Sequence, residues 1–83
     1  MIEYYDVLDN LKTLYEKKNA DYGDSFNKLL DEFGLVSVAI RLQDKVNRLK
    51  SIVKSKEQKV VDETIEDTLM DIANYAIMTV ARL

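Results

Sequence analysis

The chain has 83 residues, of which 47% are hydrophobic and 33% charged, and its net charge is −3. This length and composition exclude a disordered chain and two full-sized domains, so we expect one domain over residues 1–83. Cys and His are both absent, which excludes disulfides, zinc thiolate sites and catalysis by a thiol or an imidazole. Pro is absent and Gly occurs twice, and so few helix breakers favour long helices over a β-rich fold.

The sequence shows no signal peptide and no apolar run of about 18 residues, so we expect a soluble, cytoplasmic protein without a membrane partner. A chain this short buries a small fraction of its surface and has no disulfide to compensate. We therefore expect it to assemble as a homo-oligomer.

A first helix is predicted over residues 2–19, where apolar residues recur at spacings of three and four. The segment ADYGDS that follows is rich in turn-forming residues and is predicted to end this helix. Asp24 or Ser25 is placed to cap a short helix over 26–33, and Gly34 stands where such a helix ends. The apolar face of the first helix comprises Tyr4, Val7, Leu8, Leu11, Leu14 and Tyr15.

Two further long helices are predicted, over residues 35–55 and 60–82, joined by the polar segment 54–59. Together these elements predict an all-α bundle of three long helices and one short helix. In the third helix the apolar residues form a heptad-like seam that we expect to lie in the core, Leu35, Ala39, Leu42, Val46, Leu49 and Val53. The expected core side of the fourth helix is Val61, Ile65, Leu69, Ile72, Ala76 and Val80.

Charge is unevenly distributed along the chain. Residues 1–34 carry −4, residues 35–59 carry +5 and residues 60–83 carry −4. A basic segment between acidic flanks indicates either attraction between neighbouring helices or a pocket for an anion such as a phosphate. The acidic total argues against binding to duplex DNA.

A polar stripe on the third helix contains Arg41, Asp44, Lys45 and Arg48. As a solvated face it would be held by ion pairs around Asp44. As a functional site it would clamp a phosphate, since Arg offers paired donors and Lys a compact charge.

The fourth helix carries a second polar stripe, formed by Glu63, Asp67, Asp71 and Asn74. Acids stacked at spacings of four repel one another, so the stripe calls for a cation, either Mg²⁺ or the basic residues of the third helix. Acids are favoured near a helix start by the dipole, but this does not explain Asp71 in the helix interior.

The segment over residues 17–26, which contains KNADYGDSF, concentrates short polar groups around aromatic ones. Either it is a simple turn, or its side chains hold a ligand, with Tyr22 or Phe26 stacking on a base. Tyr75 is a further candidate for stacking or for the core. Our predicted ligand-binding residues are Lys18, Asn19, Asp21, Tyr22, Phe26, Arg41, Lys45, Arg48, Asn74 and Tyr75.

Three blocks in this order, KNADYGDSF, IRLQDKVNRLKSI and DETIEDTLMDIANYAIM, resemble the phage and bacterial family called nucleotide modification associated domain, first type. That family is similar to the MazG-like all-α nucleotide pyrophosphatases. The resemblance implies a MazG-like helical bundle that forms homo-oligomers and handles phosphorylated nucleotides.

MazG-like enzymes hold Mg²⁺ with an ExxE motif on one helix and an ExxD motif on a later one. Here the later helix offers Asp67 and Asp71 at a spacing of four, and the earlier one offers only Asp44 among cationic residues. A cationic wall binds phosphate but does not assemble a metal cluster. The resemblance therefore favours nucleotide binding over hydrolysis.

We expect a nucleotide-type small molecule to be bound without turnover and without a required cofactor, as in phage sponges for cyclic dinucleotides or ADP-ribose derivatives. The alternative is a Mg²⁺-dependent nucleoside triphosphate pyrophosphohydrolase with metal ligands Asp44, Asp67 and Asp71. A third possibility is an adaptor bundle that binds another protein. Because each polar stripe lies opposite an apolar one, we expect a neighbouring subunit to complete the pocket.

Overall fold

The computed structural model describes residues 3–22, 24–55 and 64–83, with only the backbone given for residues 20–22. Within these ranges the chain forms helices and no strand, which confirms the predicted all-α fold with three long helices and one short helix. None of the described helices is long and apolar enough to cross a membrane. The helices are α1 (Tyr4–Tyr22), α2 (Ser25–Phe33), α3 (Leu35–Ser55) and α4 (Ile65–Arg82).

The first helix extends beyond its predicted end. α1 continues to Tyr22, and α2 begins at Ser25, so most of the segment predicted as a loop, residues 17–26, is helical. Asn and Asp cost a helix only a few tenths of a kcal/mol each. Tertiary contacts of the last turns, including an ion pair made by Lys18, offset a cost of that size. Gly23, the other residue predicted to break the helix, lies outside the described residues.

The boundaries of α2 agree with the prediction. Asp24 occupies the N-cap position, but its side chain accepts no capping hydrogen bond from the backbone; instead it accepts one from Asn27 Nδ2 at 2.7 Å. Gly34 has a φ of +73°, in the left-handed region that favours glycine. Its N–H donates to the Leu30 carbonyl at 2.8 Å, which ends α2 and lets the chain turn into α3.

The fourth helix begins later than expected. Its N-cap is Thr64, whose hydroxyl accepts from the Asp67 N–H at 3.1 Å, while the Asp67 carboxylate accepts from the Thr64 N–H at 3.4 Å. This reciprocal pair is a capping box, which fixes the start of a helix. The predicted start at residue 60 and the connection over 56–59 lie outside the described residues.

Helices α3 and α4 are antiparallel. Arg41 lies over the ring of Tyr75, and one turn later Lys45 pairs with Asp71, so the partner numbers fall as the α3 numbers rise. α1 packs against α4, and α2 packs against α3. The polar stripes of α3 and α4 therefore face α1 and α2 within the same chain.

This arrangement contradicts the predicted core. Among the described residues only three hydrophobic side chains are buried, Leu11, Phe26 and Val38, whereas Thr68, Asp71, Asn74 and Thr79 are buried polar groups. Leu42, Leu49 and Ile72 are half-buried. The other seam residues of α3 and α4 are exposed, since the faces that carry them point away from α1 and α2. They include Leu35, Ala39, Val46, Val53, Ile65, Leu69, Ala76 and Val80, and Val61 lies outside the described residues.

Candidate functional site

A cleft of about 290 Å³ opens where all four helices approach one another, and we call it the aromatic cleft. Its volume is near the lower end of small-molecule sites, which span about 300–1,000 Å³. Six of the predicted ligand-binding residues, drawn from every helix, line it: Lys18, Asn19, Phe26, Arg41, Asn74 and Tyr75. A single chain brings these six together, and the expectation that a neighbouring subunit completes the pocket stays a prediction.

The rings of Phe26 and Tyr75 are stacked beside this cleft. Their centroids are 5.5 Å apart and their planes differ by 5°. Arg41 lies over both rings, with its guanidinium carbon 5.8 Å from the Phe26 centroid and 5.7 Å from the Tyr75 centroid. Phe26 is buried, so the surfaces left for stacking a flat ligand are those of Tyr75 and the guanidinium.

The side chain of Asn74 presents its amide to the site. The residue is 5% exposed and lines the aromatic cleft on one side and a second, largely apolar groove on the other. It makes no side-chain hydrogen bond with any residue in the described part of the chain. Among the described residues, the buried side-chain polar atom without a partner is Asn27 Oδ1, which leaves the Asn74 amide in contact with solvent. Asn74 therefore offers two donors and an acceptor to a ligand.

A larger cleft of about 590 Å³, which we call the charged cleft, shares Lys18 with the aromatic cleft. Its central group is Asp71, whose two carboxylate oxygens accept from Lys18 Nζ at 3.0 Å and Lys45 Nζ at 2.9 Å. The Asp71 side chain is 8% exposed and that of Lys45 14%. The cation that the acidic stripe calls for is thus supplied, at Asp71, by lysines of α1 and α3.

The two clefts differ in charge. The charged cleft is lined by Lys18, Lys45 and Arg48 and also by three acids, Glu66, Asp67 and Asp71, so its charges offset one another. The aromatic cleft is lined by Lys18 and Arg41, and none of its lining residues in the described part of the chain is acidic. Of the two, the aromatic cleft is therefore the better site for an anion.

The three predicted metal ligands do not converge. Asp67 caps its own helix, Asp71 is held by two lysines, and Asp44 is exposed and does not line the charged cleft. In the part of the chain that the structure describes, no three acidic side chains are placed to share a metal ion. These residues do not fit the Mg²⁺ cluster of the MazG-like enzymes. Glu63 lies outside the described residues.

The side chains of Asp21 and Tyr22 also lie outside what the structure describes, so their predicted role is untested. Sequence reasoning missed Tyr15, Ser25 and Met78, which complete the lining of the aromatic cleft. Tyr15 and Met78 stand one turn from Asn19 and Asn74 on their helices. For both residues, the spacing of one helical turn from a predicted residue was the signal that could have identified them.

The family model described as nucleotide modification associated domain 1 matches residues 18–83. No curated protein and no solved structure matches the chain. Since the match covers well over half of the sequence, the chain belongs to this family.

Proposed function

We propose, from membership of this family and from the aromatic cleft, that the protein binds a phosphorylated nucleotide-type small molecule without converting it. The main observation behind the proposal is that one cleft combines two cations, a stacking surface and an amide that no described residue engages in a hydrogen bond. Each of these groups matches one part of a nucleotide. The cations suit the phosphates, the stacking surface suits the base, and the amide suits the polar edge of the base.

The charge of the cleft supports an anionic ligand. Lys18 and Arg41 line it, and the acid that pairs with Lys18, Asp71, lies in the neighbouring charged cleft. Arg binds phosphate oxygens with paired donors. The side chain of Lys18 is 41% exposed although it pairs with Asp71, so it can contact a ligand at the cleft mouth. Arg41 is kept in place by two rings, which reduces the entropy lost when it binds.

Binding without turnover is favoured by the acids of the site. Metal-assisted hydrolysis needs carboxylates that share a metal ion and a water that the ion activates. The Asp71 carboxylate is instead committed to two lysines, and Asp67 to the start of α4. The role we propose is sequestration, as in phage proteins that hold cyclic dinucleotides or ADP-ribose derivatives. A MazG-like fold, self-association and a cytoplasmic location belong to the same proposal.

The test is a thermal-shift screen of nucleoside mono-, di- and triphosphates, cyclic dinucleotides and ADP-ribose derivatives, each with Mg²⁺ and with EDTA. A ligand that binds only the folded state raises the melting temperature. We expect at least one ligand to raise it in EDTA and to be recovered intact by chromatography. A ligand that is cleaved in Mg²⁺ would establish the pyrophosphohydrolase instead, and no response to any ligand would favour the adaptor.

A matched pair of variants tests whether the ligand binds in the aromatic cleft. Arg41→Ala and Lys54→Ala each remove one positive charge from α3, but only Arg41 lines the aromatic cleft, and Lys54 is exposed near the helix end. We expect Arg41→Ala to lower affinity at least ~10-fold, as for loss of a charge-assisted hydrogen bond, and Lys54→Ala to leave it unchanged. Equal effects of the two variants would show that only net charge matters and would reject the aromatic cleft as the site.

A further inference from the structure

Helices α3 and α4 each carry an exposed apolar stripe. On α3 the stripe includes Leu35, Val46 and Val53, and on α4 it includes Leu69 and Val80. At about 100° per residue, each stripe lies about two fifths of a turn from the polar stripe of its own helix. Because α1 and α2 pack on the polar side of the α3–α4 pair, the exposed apolar stripes lie on its other side. We call this surface the outer apolar face.

The chain exposes more surface than a compact monomer does. Its accessible area is 6490 Å² for 9.6 kDa, whereas the scaling of folded monomers gives about 5,100 Å² at this mass. The excess is larger than the roughly 800 Å² that each partner buries in a standard protein interface. The outer apolar face supplies part of this exposed area, since its five named residues are 36% to 69% exposed.

We propose that the outer apolar face is the interface with a second copy of this chain, in which α3 of each copy packs antiparallel against α4 of the other. The charges of the two helices select this pairing. α3 carries five basic residues and one acidic residue, and α4 carries three acidic residues and one basic residue. Without Lys45 and Asp71, which pair inside the chain, α3 keeps four basic residues and one acid, and α4 keeps two acids and one basic residue. Crossing α3 over α4 therefore brings opposite charges together, whereas stacking α3 on α3 would bring like charges together.

The geometry of this pairing follows from the fold. A two-fold axis parallel to the helices places α3 of one copy above α4 of the other and makes every neighbouring pair antiparallel, as in a four-helix bundle. Rotation about this axis leaves the position of each residue along the helix axes unchanged. Within one chain, Lys45 and Asp71 lie at the same position along these axes, since they form an ion pair. Val46 then meets Leu69 across the interface, and Leu35 meets Val80. The aromatic cleft lies on the opposite side of α3 and α4 and stays open.

The first test is the oligomeric state, measured by size-exclusion chromatography with light scattering on the full chain. We expect a dimer, with twice the 9.6 kDa of one chain. Leu69→Asp should give a monomer, and Ile40→Asp should stay dimeric, because Ile40 is exposed on α3 away from the stripe. A monomeric wild type, a dimeric Leu69→Asp or a monomeric Ile40→Asp would each overturn the proposal.

A second measurement does not depend on a charged variant that can fail to fold. The chain has no Cys, so Val46→Cys and Leu69→Cys can be made singly, tagged differently, mixed and oxidised. Random pairing of equal amounts would put about half of the disulfides between different chains, and we expect their share to be well above that half because Val46 faces Leu69 and neither faces itself. A share of one half or less would reject the α3–α4 pairing.

Discussion

Substitution of Asn74 is expected to lower the affinity for a ligand while leaving the stability of the fold nearly unchanged. The residue is 5% exposed, and its amide, which is in contact with solvent, makes no hydrogen bond to another described residue. Replacing an unpaired polar group by an apolar group of similar size is close to neutral or stabilising. We expect Asn74→Leu to change the free energy of unfolding by less than about 1 kcal/mol. Affinity for the ligand found in the thermal-shift screen should fall at least ~10-fold, since a buried hydrogen bond to it is lost.

Chemical denaturation and titration calorimetry on the same preparation measure the two effects. Asn47→Leu is the control, because Asn47 is exposed on α3 and its side chain contacts only Gln43 through a hydrogen bond of 3.3 Å. That variant should leave affinity unchanged. If Asn74→Leu kept full affinity, the amide would have no part in recognising the ligand.

At the same scale, the sequence identified most of the cleft because its residues are unusual where they stand. Phe26 and Tyr75 are aromatic residues next to polar groups, and Asn74 is a weak helix former inside a helix. Lys45 and Arg48 were grouped with them by helical spacing, yet they line the neighbouring charged cleft. Spacing fixes which side chains share a face of one helix, but which part of another helix that face meets depends on packing between the helices.

At the scale of the element, the capping box of α4 gives a prediction about stability. Thr64→Ala removes the hydroxyl that accepts from the Asp67 N–H and keeps the reciprocal bond, in which the backbone N–H of residue 64 donates to the Asp67 carboxylate. Loss of such a cap costs about 0.5–2 kcal/mol. We expect the free energy of unfolding to fall by about 1 kcal/mol, measured by urea denaturation.

Thr13→Ala is the matched control, because the Thr13 hydroxyl donates to the Asp9 carbonyl inside an exposed stretch of α1. Ala is the better helix former there, so this variant should be neutral or slightly stabilising. Equal losses in the two variants would show that the Thr64 cap contributes no more than any exposed threonine.

The ends of the helices were predictable where the required backbone conformation suits one type of residue. Gly34 ends α2 as expected, because a φ of +73° disfavours every residue with a Cβ. The predicted end of α1 was wrong because Asn19 and Asp21 only weaken a helix. Contacts with neighbouring helices can offset the small cost of continuing it. Predictions from propensity therefore succeeded at strong signals and failed at weak ones.

At the scale of the whole molecule, the two-sided pattern of α3 and α4 explains why the predicted core was wrong. Each helix has an apolar face and a polar face, and periodicity alone makes the apolar one the core side. In this chain the polar faces are turned towards α1 and α2, where Lys18, Lys45 and Asp71 pair. The sequence pattern shows which residues prefer burial, but it does not show whether the same chain or a second copy buries them.

A dimer built on the outer apolar face makes stability depend on concentration. Folding is then coupled to association, so raising the protein concentration 100-fold adds about 2.7 kcal/mol per dimer. For a unit of this size each kcal/mol shifts the melting temperature by about 2–4 °C. We expect the melting temperature of the wild type to rise by about 5–10 °C when the protein concentration is raised from ~2 to ~200 μM. Leu69→Asp should abolish the dependence, because a monomer unfolds at a temperature that its concentration does not change. A wild-type melting temperature that stays constant across this range would show that one chain is stable with the face uncovered.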